Sequence, residues 1–215
     1  MITKDEEFFA SKEVHCYGQV IGIVLAETKN LAKKAASLVE IEYEVLDQIL
    51  TIEDAIEKNS YLVGYEREVK KGEINANTFV IEDDHKGKEF VFEGRCRIGG
   101  QEHFYLETHG CLVVPKGEDN EMEVYSSTQS ITDVQKEISY ALGVPNNRIV
   151  SKIKRLGGGF GGKESRAAHL AACVAVAAHV VQRPVRIILD RDVDMLITGT
   201  RHPFLGMYKL RITYE

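Results

Sequence analysis

Gly157-Gly158-Gly159-Phe160-Gly161-Gly162-Lys163-Glu164 sets five glycines and one aromatic ring between a strand-like run and a long apolar run. Glycine loses more conformational entropy on folding than any other residue, so this density implies left-handed backbone or close approach of the main chain to something. Amides just ahead of a helix lack internal partners and suit an anionic group. Gly157, Gly159 and Gly162 satisfy G-x-G-x-x-G in the strand–loop–helix setting of a dinucleotide fold. The next strand, however, ends at Asp190, well beyond the usual spacing of about 20 residues for a ribose-binding acid. Gly157 to Lys163 also fits G-x-x-x-x-G-K, but Glu164 stands where a phosphate loop needs a Ser or Thr hydroxyl for magnesium. A tight turn that binds nothing is the plain alternative.

A second polar concentration is Gly99-Gly100-Gln101-Glu102-His103-Phe104-Tyr105-Leu106-Glu107-Thr108, directly after the alternating run Phe90 to Ile98. Polar groups this dense at a strand end must face water, each other or a site. Alternation sends Gln101, His103, Tyr105 and Glu107 to one face and Glu102, Phe104 and Leu106 to the other. His103 with Glu107 offers two metal ligands, but no third follows at suitable spacing, and a hydrogen-bonded core histidine is the simpler reading.

Together with Lys154-Arg155-Leu156 leading into the glycine loop, these segments closely resemble the molybdenum-binding region of the xanthine dehydrogenase and aldehyde oxidase family. Ser127-Thr128-Gln129, Leu142 to Ile149, Arg183 to Arg186, Leu189 to Asp192, Asp194 to Gly199 and Arg201-His202-Pro203-Phe204 extend the resemblance over nearly the whole chain. It implies a molybdenum–molybdopterin site of which Gln101, Gly159, Phe160 and Gly161 form part of the wall. Gln101 would aim its amide at an oxygen ligand of the metal, with Phe160 and Gly161 against the cofactor's metal end. Glu164 matches a glutamate that contacts the heterocyclic substrate in xanthine dehydrogenases, where aldehyde oxidases carry an apolar residue. The resemblance therefore implies purine hydroxylation, hypoxanthine and xanthine to urate with water-derived oxygen. An aldehyde oxidase-like enzyme, a non-catalytic binding module and a nucleotide-binding module are the alternatives.

No catalytic residue of the family matches a position in this chain; its glutamate base would lie beyond Glu215. The resemblance thus implies a fragment inactive by itself, whose parent carries FAD, two 2Fe–2S clusters and NAD in further domains and forms a homodimer. A cytoplasmic or peroxisomal location follows from the same resemblance.

The elements that must position these residues read as a mixed α/β fold. A small hammerhead-like α/β domain is expected over residues 1–60, a linker or long loop over 61–88, and the N-terminal part of the cofactor-binding domain over 89–215. Val14 to Ala26 reads as a strand pair, Asn30 to Leu38 as a helix and Val39 to Val45 as a strand. Beyond Phe90 come strands Phe90–Ile98, Cys111–Pro115 and Met122–Ser126, then a helix Ile131–Leu142 stopped by Gly143 and Pro145. A strand Arg148–Arg155 leads into the loop, followed by a small-sided helix Ser165–Val181 and strands Val185–Leu189 and Tyr208–Tyr214.

Composition suits a folded domain: of 215 residues, 44% are hydrophobic and 28% charged, with a net charge of -6. That balance gives no electrostatic footprint for nucleic acid. The longest apolar run, Leu170 to Val181, contains His179 and falls short of the about 20 residues of a membrane span. Cys16, Cys96, Cys111 and Cys173 lack C-x-x-C spacing and read as buried, reduced thiols.

The glutamate at the magnesium position predicts that Mg-ATP and Mg-GTP do not bind at micromolar concentration, about −8 kcal/mol. Calorimetric titration checks this; saturable binding abolished by Lys163→Ala would restore the phosphate-loop reading.

Overall fold

The computed structural model describes residues 6–64, 66–72 and 89–213. The chain divides into two compact units, one of Met1–Ile41 with Gln101–Arg201, the other of Glu42–Gly100 with His202–Glu215.

In the first unit, helix α1 (Lys29–Ala36) begins where the Thr28 hydroxyl accepts from the Leu31 N–H. The rest is a four-stranded sheet with helices on one face. Helix α2 (Ile52–Glu57) and strand β1 (Glu89–Ile98) belong to the second unit. The sheet is built from β2 (Gly110–Pro115), β3 (Met122–Ser126), β4 (Ile149–Lys152) and β5 (Val185–Ile188), in the order β4-β3-β2-β5. The β2–β3 and β2–β5 pairs are antiparallel and the β3–β4 pair is parallel. That parallel pair requires a crossover, supplied by α3 (Ile131–Leu142). Gly143, with φ of 67°, ends α3 in the left-handed conformation.

Helix α4 (Arg166–Val181) is the centre of the core. Its run of alanines lets the backbone sit close to both α3 and β2. Ala168, Ala171, Ala172, Val174, Ala175 and Ala178 pack with Val113, Val124, Val134, Ile138 and Ile149. Helix α5 (Arg191–Ile197) follows β5 directly and was not anticipated, being too short for a clear periodic signature.

The second unit holds the antiparallel ribbon of β1 with β6 (Phe204–Thr213). Gly94 faces Tyr208 across it, and a Cβ at Gly94 would meet the Tyr208 hydroxyl at 2.3 Å, so the tyrosine ring occupies the glycine's place in the pleat. β6 starts four residues earlier than expected, and Tyr214 lies outside the described residues. Residues 65 and 73–88 of the expected linker lie outside them as well.

Three expectations are corrected. Residues 14–26 and 39–45 form no strands: Val14, Val24, Leu25, Val39, Ile41, Tyr43 and Val45 are exposed, and no neighbouring chain among the described residues offers them a ladder of hydrogen bonds. Cys111 and Cys173 are buried, with thiols pushed up to about 12 by burial, whereas Cys16 and Cys96 are exposed. Cys16 lies in the 14–26 stretch, which forms no strand, and Cys96 on a ribbon that has two strands among the described residues.

Close packing around α4 predicts that Ala171→Leu lowers stability by about 1–3 kcal/mol through overpacking. Val180→Leu, at a position 74% exposed, leaves stability nearly unchanged. Urea unfolding midpoints of the two variants make the comparison.

Candidate active-site loop

Lys163, at the end of the glycine loop, has its side chain fully buried. A buried ammonium is tolerated only where partners replace water. Its Nζ donates to Ser127 Oγ at 2.8 Å and to Glu107 Oε2 at 3.1 Å, and lies 4.7 Å from the centre of the Tyr105 ring. Desolvation pulls the Lys163 pKa down, opposed by the Glu107 carboxylate. The inward direction of this side chain contradicts the phosphate-loop reading, in which the lysine must reach outward to phosphates.

Glu107 holds the other end of the loop. Its Oε2 accepts from the Gly157 N–H at 2.8 Å and from the Ser127 hydroxyl at 2.7 Å, besides Lys163. Burial works against its ionisation, but the Gly157 amide, Ser127 and Lys163 together outweigh it and hold the pKa below the ordinary 4.5. Gln129 fastens the middle: its Oε1 accepts from the N–H of Gly161 at 2.9 Å and of Lys163 at 3.2 Å. The Gln129 main chain adds a bond from its own N–H to the Lys163 carbonyl at 2.8 Å.

The glycines are there because side chains crowd the loop. A Cβ at Gly159 would lie 2.4 Å from Gln129 Oε1, and one at Gly162 would lie 2.8 Å from both the His103 and Tyr105 rings. Gly158 and Gly161 have φ of 91° and 92°, and Phe160 between them has φ of 52°. A bulky residue in that region is strained by roughly 1–3 kcal/mol and persists where its surroundings over-determine it.

The segment carrying Gln101 is laced antiparallel to the loop. His103 packs on Gly161 and Gly162, Tyr105 on Gly158 and Gly162, and Glu107 on Gly157. The Glu107 N–H also donates to the Gly157 carbonyl at 3.0 Å. Gln101, two residues before His103, therefore stands within about 7 Å of it along the chain. Burial alternates around Tyr105, which is 1% exposed against 68% for Phe104 and 92% for Leu106, but Gln101 and Glu107, expected on the Tyr105 face, are exposed.

Behind this segment, Tyr105, His109, Asp194 and Thr198 form a buried network. His109 Nδ1 lies 2.7 Å from Asp194 Oδ1 and 2.9 Å from the Tyr105 hydroxyl, which is 3.2 Å from Thr198 Oγ1. Thr198 Oγ1 donates to the Asp194 carbonyl at 2.6 Å, which leaves Tyr105 as donor to Thr198. Burial outweighs the Asp194 charge and pulls the His109 pKa down, so the imidazole is neutral and donates from Nδ1 to Asp194. Burial first, then the Asp194 charge, pushes Tyr105 up to about 12, opposed by its hydrogen-bond contact with Thr198. Arg191 completes the support, donating to the Leu106 carbonyl at 2.9 Å and to the Tyr105 carbonyl, with its guanidinium 5.1 Å from the centre of the Phe104 ring.

Of the candidate residues, Phe160 is 73% exposed and its N–H has no partner among the described residues. The Gly161 N–H is committed to Gln129, so Gly161 presents a bare α-carbon face rather than a donor. Gly159 is buried beneath the Gln129 amide. Glu164 is exposed, two residues before α4 begins, and makes no hydrogen bond or ion pair among the described residues. Gln101 is exposed, and its Oε1 accepts from Arg201. The clamp formed by Glu107, Ser127 and Gln129 was missed by sequence reasoning; the signal for it was a lysine embedded in glycines, which must find acceptors if buried. A groove of 390 Å³, lined partly by Lys152, Arg155 and Arg186, shares Glu107 and Ser127 with the clamp but includes none of Gln101, Phe160 or Glu164.

Chemically, this wall offers neutral donors, a close-approach glycine surface and one unpaired carboxylate. Among the described residues no group of three His, Cys, Asp or Glu could hold a metal ion. A metal at this wall would have to arrive within its own ligand, and the neutral donors with glycine clearance fit a metal carried by molybdopterin.

The comparisons accord with that fit. Residues 30–215 match the family model for a molybdopterin cofactor-binding domain, and residues 1–47 match that for the aldehyde oxidase and xanthine dehydrogenase a/b hammerhead domain. The chain is 53% identical over 207 residues to a xanthine dehydrogenase of Drosophila pseudoobscura pseudoobscura, covering 96% of this chain and 15% of that protein. It is also 53% identical over 209 residues to a xanthine dehydrogenase/oxidase of Gallus gallus, covering 97% and 15%. The chain thus spans about 15% of the length of the curated relatives it matches. The aldehyde oxidoreductase of Desulfovibrio desulfuricans ATCC 27774 superposes with a TM-score of 0.80 at 21% identity, over 97% of this chain and 23% of that one, which shows the shared fold.

The clamp generates a prediction about stability and pH. Lys163→Met leaves the Glu107 carboxylate without its cation and costs about 1–3 kcal/mol. Because the folded Glu107 pKa lies below its unfolded 4.5, the unfolded chain binds more protons in that window. The contribution of Glu107 is therefore complete above that pH and lost as pH falls through the folded value. Urea unfolding across the acid range should show this slope in the native protein and a flatter one in Glu107→Gln.

Proposed function

Since the chain belongs to the molybdopterin cofactor-binding domains of the aldehyde oxidase and xanthine dehydrogenase family, we propose that it forms part of the cofactor wall and one substrate contact of a purine hydroxylase of the xanthine dehydrogenase type. The observation that carries the purine reading is Glu164, an exposed carboxylate with no partner among the described residues, held next to a residue, Lys163, that faces the opposite way. A carboxylate in that position can accept from a ring N–H of a heterocycle, which an aldehyde lacks.

When bound, molybdopterin would supply the metal centre at which a water-derived oxygen is transferred to an electron-poor ring carbon and the two electrons released are taken up. The residues of this chain would do the rest of the positioning. Phe160, with its left-handed backbone and exposed ring, would bound the metal end of the cofactor and present an N–H that has no partner among the described residues. Gly161, lacking a side chain, would let the cofactor come against the main chain. Gln101 would donate from its amide towards a metal oxygen without titrating. No residue here is assigned as the proton-abstracting base, so the chain by itself is proposed to lack turnover. FAD, iron–sulfur clusters and NAD belong, on this reading, to other parts of a longer, homodimeric enzyme.

In that enzyme, Glu164→Ala should lower kcat/KM for xanthine roughly tenfold to a hundredfold, the worth of about 1.5–3 kcal/mol for a hydrogen bond to a charged group. A small aldehyde should lose much less. Gln101→Ala should slow both substrates alike, because the donor it removes serves the metal centre. Steady-state kinetics at equal molybdenum content test the pair. Equal losses for purine and aldehyde in Glu164→Ala would return that carboxylate to the scaffold and end the purine reading.

A further inference from the structure

Tyr105 is the floor of the glycine loop. Gly158 and Gly162 close against it, and the Lys163 ammonium lies 4.7 Å from its ring centre. Regular structure does not fix that ring: residues 102–105 form neither strand nor helix, and Phe104 just before it has a left-handed φ of 45°. A strained, irregular segment keeps its shape only where groups from elsewhere over-determine it.

Those groups trace to one residue, Asp194, fully buried on α5. Asp194 Oδ1 accepts from His109 Nδ1 at 2.7 Å, and that nitrogen lies 2.9 Å from the Tyr105 hydroxyl. The same oxygen accepts from the His109 N–H at 3.3 Å, so ring and main chain of the histidine are both held. The Asp194 carbonyl accepts from Thr198 Oγ1 at 2.6 Å, which in turn accepts from the Tyr105 hydroxyl at 3.2 Å. On its other side, Asp194 Oδ2 faces Arg191 Nη1 at 3.6 Å, while Arg191 Nη2 donates to the Tyr105 and Leu106 carbonyls. Asp194 thus reaches Tyr105 at the hydroxyl through His109 and Thr198, and at the carbonyl through Arg191. Held at both ends, Tyr105 cannot turn without leaving buried polar groups unpaired.

We propose that Asp194 is a positioning residue for the cofactor wall: by fixing Tyr105 it fixes the stretch from Gly158 to Gly162, and with it the setting of the Phe160 ring against Gly158. This rests on the reading of Phe160 and Gly161 as bounding the metal end of the cofactor. Asp194 need touch neither substrate nor cofactor; it acts through Tyr105.

The test uses the molybdenum-loaded enzyme containing this chain, with molybdenum content measured for every variant. Asp194→Asn keeps the shape but loses the charge that faces His109 and Arg191, whereas Tyr105→Phe keeps the ring but loses the hydroxyl. Each should lower kcat roughly tenfold for xanthine and a small aldehyde alike, with KM little changed. Each should also alter the electron paramagnetic resonance line shape of the metal centre in the same sense, and speed hydrogen exchange of the Gly162 N–H, which donates to the Gly159 carbonyl at 2.8 Å. Combined, their losses should fall short of multiplying, because both act on one residue. Val134→Ala, which opens a cavity in the core between α3 and α4, should lose stability yet keep native kcat and line shape. Tyr105→Phe carries the comparison if Asp194→Asn fails to load metal. Native kcat and line shape in either variant, fully multiplying losses, or the same changes in Val134→Ala would overturn the positioning role. Phe160→Ala tests the reading beneath it: native kcat and line shape there would overturn the wall reading and this inference together, whereas impairment there beside a native Asp194→Asn would overturn the inference alone.

Discussion

The ammonium of Lys163 is the constraint around which the loop is arranged. Fully removed from water, it must be surrounded by acceptors, and Glu107, Ser127 and the Tyr105 ring are placed to do so. Those groups come from the segment after β1 and from the end of β3. Satisfying one charge therefore ties three stretches of chain together. The Glu107 carboxylate then has capacity left for the Gly157 N–H, and the beginning of the loop is fixed by the group that neutralises its end. With Gln129 bonded to Gly161 and Lys163, little of the loop can move independently.

Rigidity of this kind explains how the backbone at Phe160 remains left-handed. An isolated loop would relax that strain, whereas one pinned at Gly157, Gly161 and Lys163 cannot. The same pinning divides the loop into an inner and an outer face. Lys163 and Gly159 look into the protein; Phe160 and Glu164 look out. Adjacent residues of opposite charge thus serve opposite ends, one internal electrostatics and the other whatever approaches the wall. Preorganisation of this sort is what a site needs if its donors are to meet developing charge without first rearranging.

Periodicity made much of the architecture legible. Alanine-rich α4, the stop at Gly143 and the alternating strands β2 and β3 each carry a local signal that agrees with the final packing, and the glycine loop announced close backbone approach. Residues 14–26 and 39–45 have strand-like composition without strand structure, because a strand is made by its neighbour rather than by itself. Lys163 illustrates a different limit. Its spacing fits a phosphate-binding pattern as well as a structural one, and only the positions of Glu107 and Ser127, far away in the chain, decide between them.

Native-state hydrogen exchange of the loop amides tests the central claim most directly. Held by the Gln129 side chain, the Gly161 and Lys163 N–H groups should exchange slowly, as should Gly157 on Glu107, while the Phe160 N–H beside them exchanges fast. Gln129→Ala should release Gly161 and Lys163 and leave Gly157 protected. Uniformly fast exchange from Gly157 to Lys163 in the native protein would contradict the account, because it would mean that the buried ammonium and its partners do not hold the loop at all.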